Sequence, residues 1–176
     1  MSKINLKLRN IIEELKRRSL IKLSPSNIRD LPYKPGIYVL YLCEDVNKPL
    51  YVGSSTNLYR RLAQLRDTIR FEHIFTWNIF WKEVERIEGR NFKEEDLDVF
   101  WIKEKSKREE IIVKIENLLD KICFKYIEFE GLPEKELREL ERKVIDKLKP
   151  INPHYRNKKR MTLDNLLRGK IEIGKT

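Results

Sequence analysis

The stretch KPGIYVLYLCEDVNKPLYVGSSTNLYRRL, from Lys34 to Leu62, holds two short apolar segments directly ahead of a helical pattern. GIYVLYL and PLYVG are rich in β-branched and aromatic residues and are separated by the polar CEDVNK, which predicts two antiparallel strands joined as a hairpin. The residues that follow predict a helix, with Ser55 or Thr56 as its N-cap. Each predicted strand carries a tyrosine close to a glycine, Tyr38 in the first and Tyr51 in the second.

The rest of the chain alternates between helical and strand patterns. Apolar residues at helical spacing predict helices over residues 3–19, from Ser106 onward, and in the run that ends before Pro150. CFKYIEFE predicts a further strand. Alternating apolar residues over 71–84 predict a half-buried strand, and LDVFWIK predicts another, so an additional β-hairpin is expected there. These elements indicate an α+β fold with a small, mostly antiparallel sheet.

The net charge of +10 is concentrated at the two ends of the chain. Residues 1–34 hold nine Lys or Arg against three Asp or Glu, net +6, and residues 156–176 hold seven against two, net +5. Basic ends on a neutral body are expected where the ends contact a polyanion such as DNA, although they could also serve solubility alone. No apolar run is long enough to span a membrane, and MSKINLKLRN lacks the core of a signal peptide, so we expect a cytoplasmic protein.

The two cysteines, Cys43 and Cys123, lie far apart in the sequence and belong to no CxxC motif. This spacing argues against structural zinc and does not indicate a disulfide framework. Cysteine is commonly buried as a free thiol, and that is the expected state of both residues.

Two charged residues fall on predicted apolar helix faces. At about 100° per residue, Arg61 borders the stripe formed by Leu62, Leu65 and Ile69, whereas Arg60 lies on the opposite side. In the last helix Glu141 falls within the buried line. A carboxylate in that position is costly unless an arginine, a metal ion or a hydrogen-bond network compensates it.

These residues allow a catalytic and a structural interpretation. Tyrosine hydroxyls, a guanidinium and a carboxylate on adjoining surfaces suit phosphodiester hydrolysis, with Arg61 stabilising charge on the phosphate and Glu141 holding a divalent cation. The structural alternative is a plain Arg61–Glu141 ion pair beneath two tyrosines that are simply good strand formers.

The ordered set of motifs resembles the GIY-YIG nuclease family. GIY at Gly36–Tyr38 and YVG at Tyr51–Gly53 resemble the two halves of the family signature, and YVGSSTNLYRRL resembles its second strand, polar turn and arginine-bearing helix. LERKVIDKLKPIN resembles the closing motif, with its glutamate, apolar pair, Lys-Pro and asparagine. The resemblance covers roughly residues 35–153 and selects the same Arg61 and Glu141 as the helix-face argument.

The resemblance implies a three-stranded antiparallel sheet flanked by helices and a metal-dependent endonuclease acting on DNA. It implies Tyr38 as the base or its assistant, Tyr51 as a residue that positions phosphate or water, and Arg61 as the stabiliser of the transition state. It also implies that Glu141 binds Mg²⁺ (or Mn²⁺) and that Asn152 holds the closing segment by hydrogen bonds. A small restriction-like or mobile-element nuclease is expected, and a homodimer is one arrangement that would cut both strands.

The expected organisation has three parts. Residues 1–33 form a basic helix and linker, residues 34–156 the nuclease-like domain with an insertion over 71–104, and residues 157–176 a basic tail. Phosphate contacts are expected from four basic residues, which are Lys158, Lys159, Arg160 and Arg66.

Three departures from the family pattern keep a second interpretation open. Leu65 stands where many members carry a histidine, the asparagine follows the proline by two positions rather than three, and the insertion contains Trp77, Trp81 and Trp101. The tryptophans could pack a core or stack on bases. The alternative function is a catalytically inactive module of the same fold that binds nucleic acid.

Overall fold

The computed structural model describes residues 3–89 and 96–151, with the side chains of all but residues 3–7 and 98. The described residues form two compact units. The first unit runs to Gln64 and resumes at Asp120, and the second comprises the described residues between Leu65 and Leu119. None of the described helices has the length and apolarity required to cross a membrane.

Eleven helices and strands are present in the described residues. In chain order they are α1 (Lys3–Arg17), β1 (Ile21–Lys22), α2 (Pro25–Arg29), β2 (Gly36–Leu42), β3 (Tyr51–Ser55), α3 (Leu58–Arg66), α4 (Ile74–Glu88), α5 (Leu97–Lys103), α6 (Lys105–Leu119), β4 (Ile122–Glu128) and α7 (Glu134–Leu148).

The sheet belongs to the first unit and has the strand order β1-β4-β2-β3, with every pairing antiparallel. The predicted hairpin of β2 and β3 is confirmed, and the register opposes Tyr38 to Gly53 and Leu40 to Tyr51. The sheet has four strands rather than the three expected. The additional strand is the two-residue β1, which pairs with the outer edge of β4 and carries too few residues to show a strand pattern.

One face of the sheet carries the main core of the first unit. Because side chains alternate along a strand, Ile37 and Val39 of β2 share this face with Val52 of β3. α7 packs against this face through Val144 and the other residues of its apolar stripe. α1 packs against the same core through Leu15 and the other residues of its own stripe. The predicted first and last helices, α1 and α7, are therefore confirmed as amphipathic helices that each bury one face.

α3 begins and ends differently from its prediction. Its N-cap is Asn57, whose Oδ1 accepts from the backbone N–H of Arg60 at 2.9 Å, rather than Ser55 or Thr56. The Ser55 hydroxyl instead organises the turn that leads into the helix. The helix ends at Arg66, so Ile69 lies beyond the predicted stripe and is 77% exposed.

The predicted additional β-hairpin is wrong, because both of its segments are helices of the second unit. α4 spans most of the stretch expected as one strand, and LDVFWIK forms α5. The buried residues Phe75, Ile79, Phe80 and Val84 recur at helical spacing. The alternation in the sequence took every second residue of a densely apolar run and so suggested a strand. Gly89 caps α4 in a left-handed conformation, which is the usual signal of a helix end.

The tryptophans of the second unit pack against one another and against phenylalanines. The ring centroids of Trp77 and Trp81 are 5.6 Å apart, and those of Phe80 and Trp101 are 5.5 Å apart. Arg108 lies over the ring of Trp101 at 4.9 Å from its centroid. This arrangement agrees with core packing, the first of the two interpretations that the sequence left open.

The two cysteines form a disulfide, so the expectation of free thiols is wrong. Cys123 lies on β4 opposite Tyr41, and Cys43 directly follows the end of β2. The strand register therefore brings their Cα atoms to 4.9 Å, within the range that a disulfide requires. Their separation of 80 positions gave no sign of this pairing, because only the long-range match of β2 with β4 produces it.

Candidate active site

Tyr38 and Tyr51 lie together on the sheet face opposite the α7 core. Their ring centroids are 6.1 Å apart, and both side chains are almost completely buried. The two residues are offset by two positions across the strand pair, because Tyr38 opposes Gly53. The Tyr38 ring occupies the space above that glycine.

α3 brings Arg61 to the two tyrosines. The backbone N–H of Leu58 donates to the carbonyl oxygen of Lys34 at 3.1 Å, which fixes the start of the helix beside β2. From there the Arg61 guanidinium donates hydrogen bonds to the hydroxyls of Tyr38 and Tyr51. It also donates to Oε1 of Gln64, one helical turn further on, at 3.3 Å. The prediction that Arg61 leans inward while Arg60 is exposed is confirmed.

α7 presents Glu141 from the other side of the sheet. The residue is only 4% exposed, as its place on the apolar stripe predicted. Its Oε2 accepts a hydrogen bond of 2.7 Å from the hydroxyl of Ser54, which lies on the α7 side of β3 because side chains alternate along the strand. Arg61 acts on this carboxylate through its charge, whereas Ser54 supplies the hydrogen bond, so the simple Arg61–Glu141 ion pair is not the arrangement found.

Arg61 and Glu141 meet at a cavity of about 530 Å³ beside the edge strand β3. Its lining is mainly polar and is supplied by β3, the following turn, α3 and α7. The lining residues are Tyr51, Ser54, Ser55, Thr56, Asn57, Arg60, Arg61, Gln64, Glu134, Leu137, Arg138 and Glu141. Helices on opposite faces of the sheet thus bring a guanidinium and a carboxylate to one opening, which suits binding of a phosphate and a cation.

Burial changes the protonation chemistry of both acids in the site. It raises the pKa of Tyr38 far above its ordinary value, and the charge and hydrogen bond of Arg61 offset this only in part. It also raises the pKa of Glu141, against the lowering effect of the Ser54 hydrogen bond and of the Arg61 charge. Burial therefore favours the neutral carboxyl and the neighbouring groups offset this only in part, and such perturbed acids are common at functional sites.

The structure brings together four of the predicted site residues, Tyr38, Tyr51, Arg61 and Glu141. Asn152 lies outside the described residues. So do three of the residues predicted to contact phosphate, Lys158, Lys159 and Arg160.

The fourth predicted phosphate contact, Arg66, lies in the second unit. The cavity described above belongs to the first unit.

Three residues of the site were missed by the sequence analysis. Ser54 holds Glu141, Gln64 accepts from Arg61, and Arg138 lines the cavity from α7. Gln64 and Arg138 could have been found from helical spacing, since they lie three positions from Arg61 and Glu141. The contact of Ser54 depends on how α7 crosses β3, which no local pattern reveals.

The acidic residues at the cavity suit a cation such as Mg²⁺, which needs few protein ligands. The described residues contain no cluster of three His, Cys, Asp or Glu that could hold a metal by themselves. Mg²⁺ often binds through one or two carboxylates and otherwise keeps waters and substrate phosphates as ligands. Glu141 is well placed to serve as such a carboxylate, because it lines the cavity and its Oε2 is fixed by Ser54.

Comparison of the chain with protein-family models, with curated proteins and with solved structures found no match.

Proposed function

We propose that this protein is a divalent-metal-dependent endonuclease that hydrolyses phosphodiester bonds in DNA by chemistry of the GIY-YIG type. One observation carries the proposal: Arg61, held by two tyrosine hydroxyls, and Glu141, held by Ser54, line the same open cavity. The guanidinium suits a phosphate and the carboxylate suits a hard cation, and both are fixed before substrate arrives.

Arg61 has the part of the phosphate-binding group. Its hydrogen bonds to the tyrosines and to Gln64 restrict the side chain, so little conformational entropy is lost when a phosphate binds. A guanidinium fixed in a partly buried cavity stabilises the charge that develops on the phosphoryl oxygens in the transition state.

The two tyrosines have different parts. Tyr51 is among the lining residues of the cavity, which supports a role in orienting the attacking water. Tyr38 is fully buried, its pKa is raised and it contacts Arg61, which favours a positioning role over that of a base. This assignment modifies the expectation from the family resemblance, in which Tyr38 is the base or its assistant.

Glu141 has the part of the metal-binding group, with Mg²⁺ or Mn²⁺ as the cation. A bound divalent cation would neutralise phosphate charge and lower the pKa of its bound water. Ser54 keeps the carboxylate oriented toward the cavity, and the nearby arginines favour its ionised form.

A second candidate is a DNA-binding module of the same fold without catalytic activity. Two observations favour this candidate. The hydroxyl of Tyr38 is buried and is therefore a poor proton acceptor, and Leu65 stands in place of a histidine. Binding without cleavage in any divalent metal would identify this candidate.

A plasmid-nicking assay tests the proposal. Supercoiled plasmid is incubated with the protein and Mg²⁺ or Mn²⁺, and Arg61→Ala and Glu141→Gln are compared with Glu139→Gln, an exposed glutamate of the same helix. We expect the wild type and Glu139→Gln to nick the plasmid and the two site variants to lose about 10²–10³-fold in rate. Absence of nicking by the wild type, or nicking unaffected in both site variants, would refute the proposal.

A further inference from the structure

α7 carries a row of exposed basic residues on the flank that borders the cavity. At about 100° per residue, Lys135, Arg138 and Arg142 fall within roughly 60° of one another and continue outward from Glu141. All three are exposed, and Arg138 is itself a lining residue of the cavity. We call these three residues the α7 basic row.

Acidic residues of the same helix lie beside the basic row and offset part of its charge. Within the described part of the chain, neither Lys135 nor Arg142 takes part in an ion pair, and Arg138 pairs with Glu134. At about 100° per residue Glu139 lies roughly 40° from Lys135; it pairs with Lys143 and also interacts through its charge with Lys135 and Arg142.

The electrostatic field of the row reaches the site. Arg138 and Arg142 both lower the pKa of Glu141 by their charge, in addition to the effect of Arg61. The row thus forms a basic surface at the edge of the cavity that holds the buried carboxylate. Such a surface attracts a polyanion and directs it toward the carboxylate and its cation.

We propose that the α7 basic row binds the phosphates of the DNA strand as it leaves the cavity. The row spans seven positions of helix, or about 10.5 Å, which is roughly the axial rise of three nucleotides in one strand of duplex DNA. It is exposed, so a strand can reach it without any rearrangement of the helix. The proposal rests on the proposed function only in that the cavity receives the scissile phosphate.

Glu134 competes with DNA for the row. It lines the cavity and forms an ion pair with Arg138, so in the free protein its carboxylate takes the place of a phosphate. Removing its charge should take away one acidic competitor of the DNA phosphates at Arg138. Binding should then become tighter, the opposite of the effect of removing a basic residue.

Salt-dependent binding tests the proposal. Fluorescence anisotropy of a fluorescein-labelled 20-base-pair duplex is measured in EDTA between about 50 and 200 mM KCl for Lys135→Gln/Arg142→Gln and for the control Lys143→Gln/Lys147→Gln. Both double variants lose two positive charges from the same helix. The slope of log affinity against log salt should become shallower by about 1.8 in the row variant, because about 0.9 counterion is released per phosphate contact with duplex DNA. Over this salt range the wild type should therefore lose about 12-fold more affinity than the row variant.

The control and a variant of opposite sign make the outcome decisive. An equal change in both double variants would show an effect of net charge alone and would overturn the proposal, as would an unchanged slope in the row variant or no binding by the wild type. Glu134→Gln should bind DNA more tightly than the wild type, and damage to the fold would not produce such a gain. Weaker or unchanged DNA binding by this variant would count against the proposal that the row binds phosphates.

Binding and cleavage also separate this proposal from the proposed function. A wild type that binds through the row but never nicks plasmid would refute the nuclease and leave the row established. If the wild type nicks plasmid and the row variant has an unchanged salt slope, the nuclease is supported and the role of the row is refuted.

Discussion

The hydroxyl of Tyr38 lies directly over Gly53, its partner on the neighbouring strand. A Cβ atom on Gly53 would be 2.4 Å from that hydroxyl oxygen, a distance that no packed pair of atoms adopts. Because the same hydroxyl accepts a hydrogen bond from Arg61, the absence of a side chain at Gly53 controls where the guanidinium lies. The glycine is therefore required by the position of another side chain and not by its own backbone conformation.

Gly53→Ala should displace the Tyr38 ring and disturb Arg61. We expect a loss of about 1–3 kcal/mol in unfolding free energy, measured by urea denaturation, because the added methyl overpacks a closed space. Plasmid nicking should fall as well. In a Tyr38→Leu background the same glycine substitution should cost clearly less, since the clashing ring is absent. Equal costs in the two backgrounds would show that Tyr38 is not what the methyl meets.

Glu141→Gln should raise thermal stability at pH 8. Burial raises the pKa of Glu141 in the folded protein, so the folded state binds this proton more tightly than the unfolded chain. The stability from this proton is fully present below the unfolded pKa, about 4.3, and is lost as the pH rises through the folded pKa. The advantage of the variant in thermal midpoint should therefore grow between about pH 4 and pH 8.

Glu139→Gln provides the matched control on the same helix. The hydrogen bond and charge of Lys143 lower the pKa of Glu139, so its variant should show the opposite pH trend and a small effect. If Glu141→Gln instead lost about 3–5 kcal/mol at pH 8, the carboxylate would be half of a structural buried ion pair. The catalytic interpretation would then lose its main support.

Much of the site could be predicted because its key charges interrupt apolar helix faces. Arg61 and Glu141 were recognisable from local spacing, and the β2–β3 hairpin from its strand pattern and polar turn. The contact between Ser54 and Glu141 could not be predicted, because it depends on the crossing of α7 over β3. The helical α4 was missed because its aromatic-rich sequence satisfies the strand period and the helix period alike.

Ser54→Ala should move the acid limb of the pH–rate profile of nicking to higher pH. The Ser54 hydrogen bond lowers the pKa of Glu141, so its loss raises that pKa further and more of the carboxyl is protonated at a given pH. Activity that requires the ionised carboxylate then appears only at higher pH. Ser54→Thr keeps a hydroxyl and should restore the wild-type profile. If the nicking rate of Ser54→Ala fell at every pH without a shift of the acid limb, Ser54 would have only a structural role.

Reduction of the Cys43–Cys123 disulfide should destabilise the first unit. The bond joins positions 80 residues apart and limits the freedom of the unfolded chain, so its loss should cost about 2–4 kcal/mol. The thermal midpoint of the wild type should fall when dithiothreitol is added. Cys43→Ser/Cys123→Ser should start from that lower midpoint and be insensitive to dithiothreitol. If wild type and variant melted at the same temperature without reductant, the two sulfurs would be free thiols in solution.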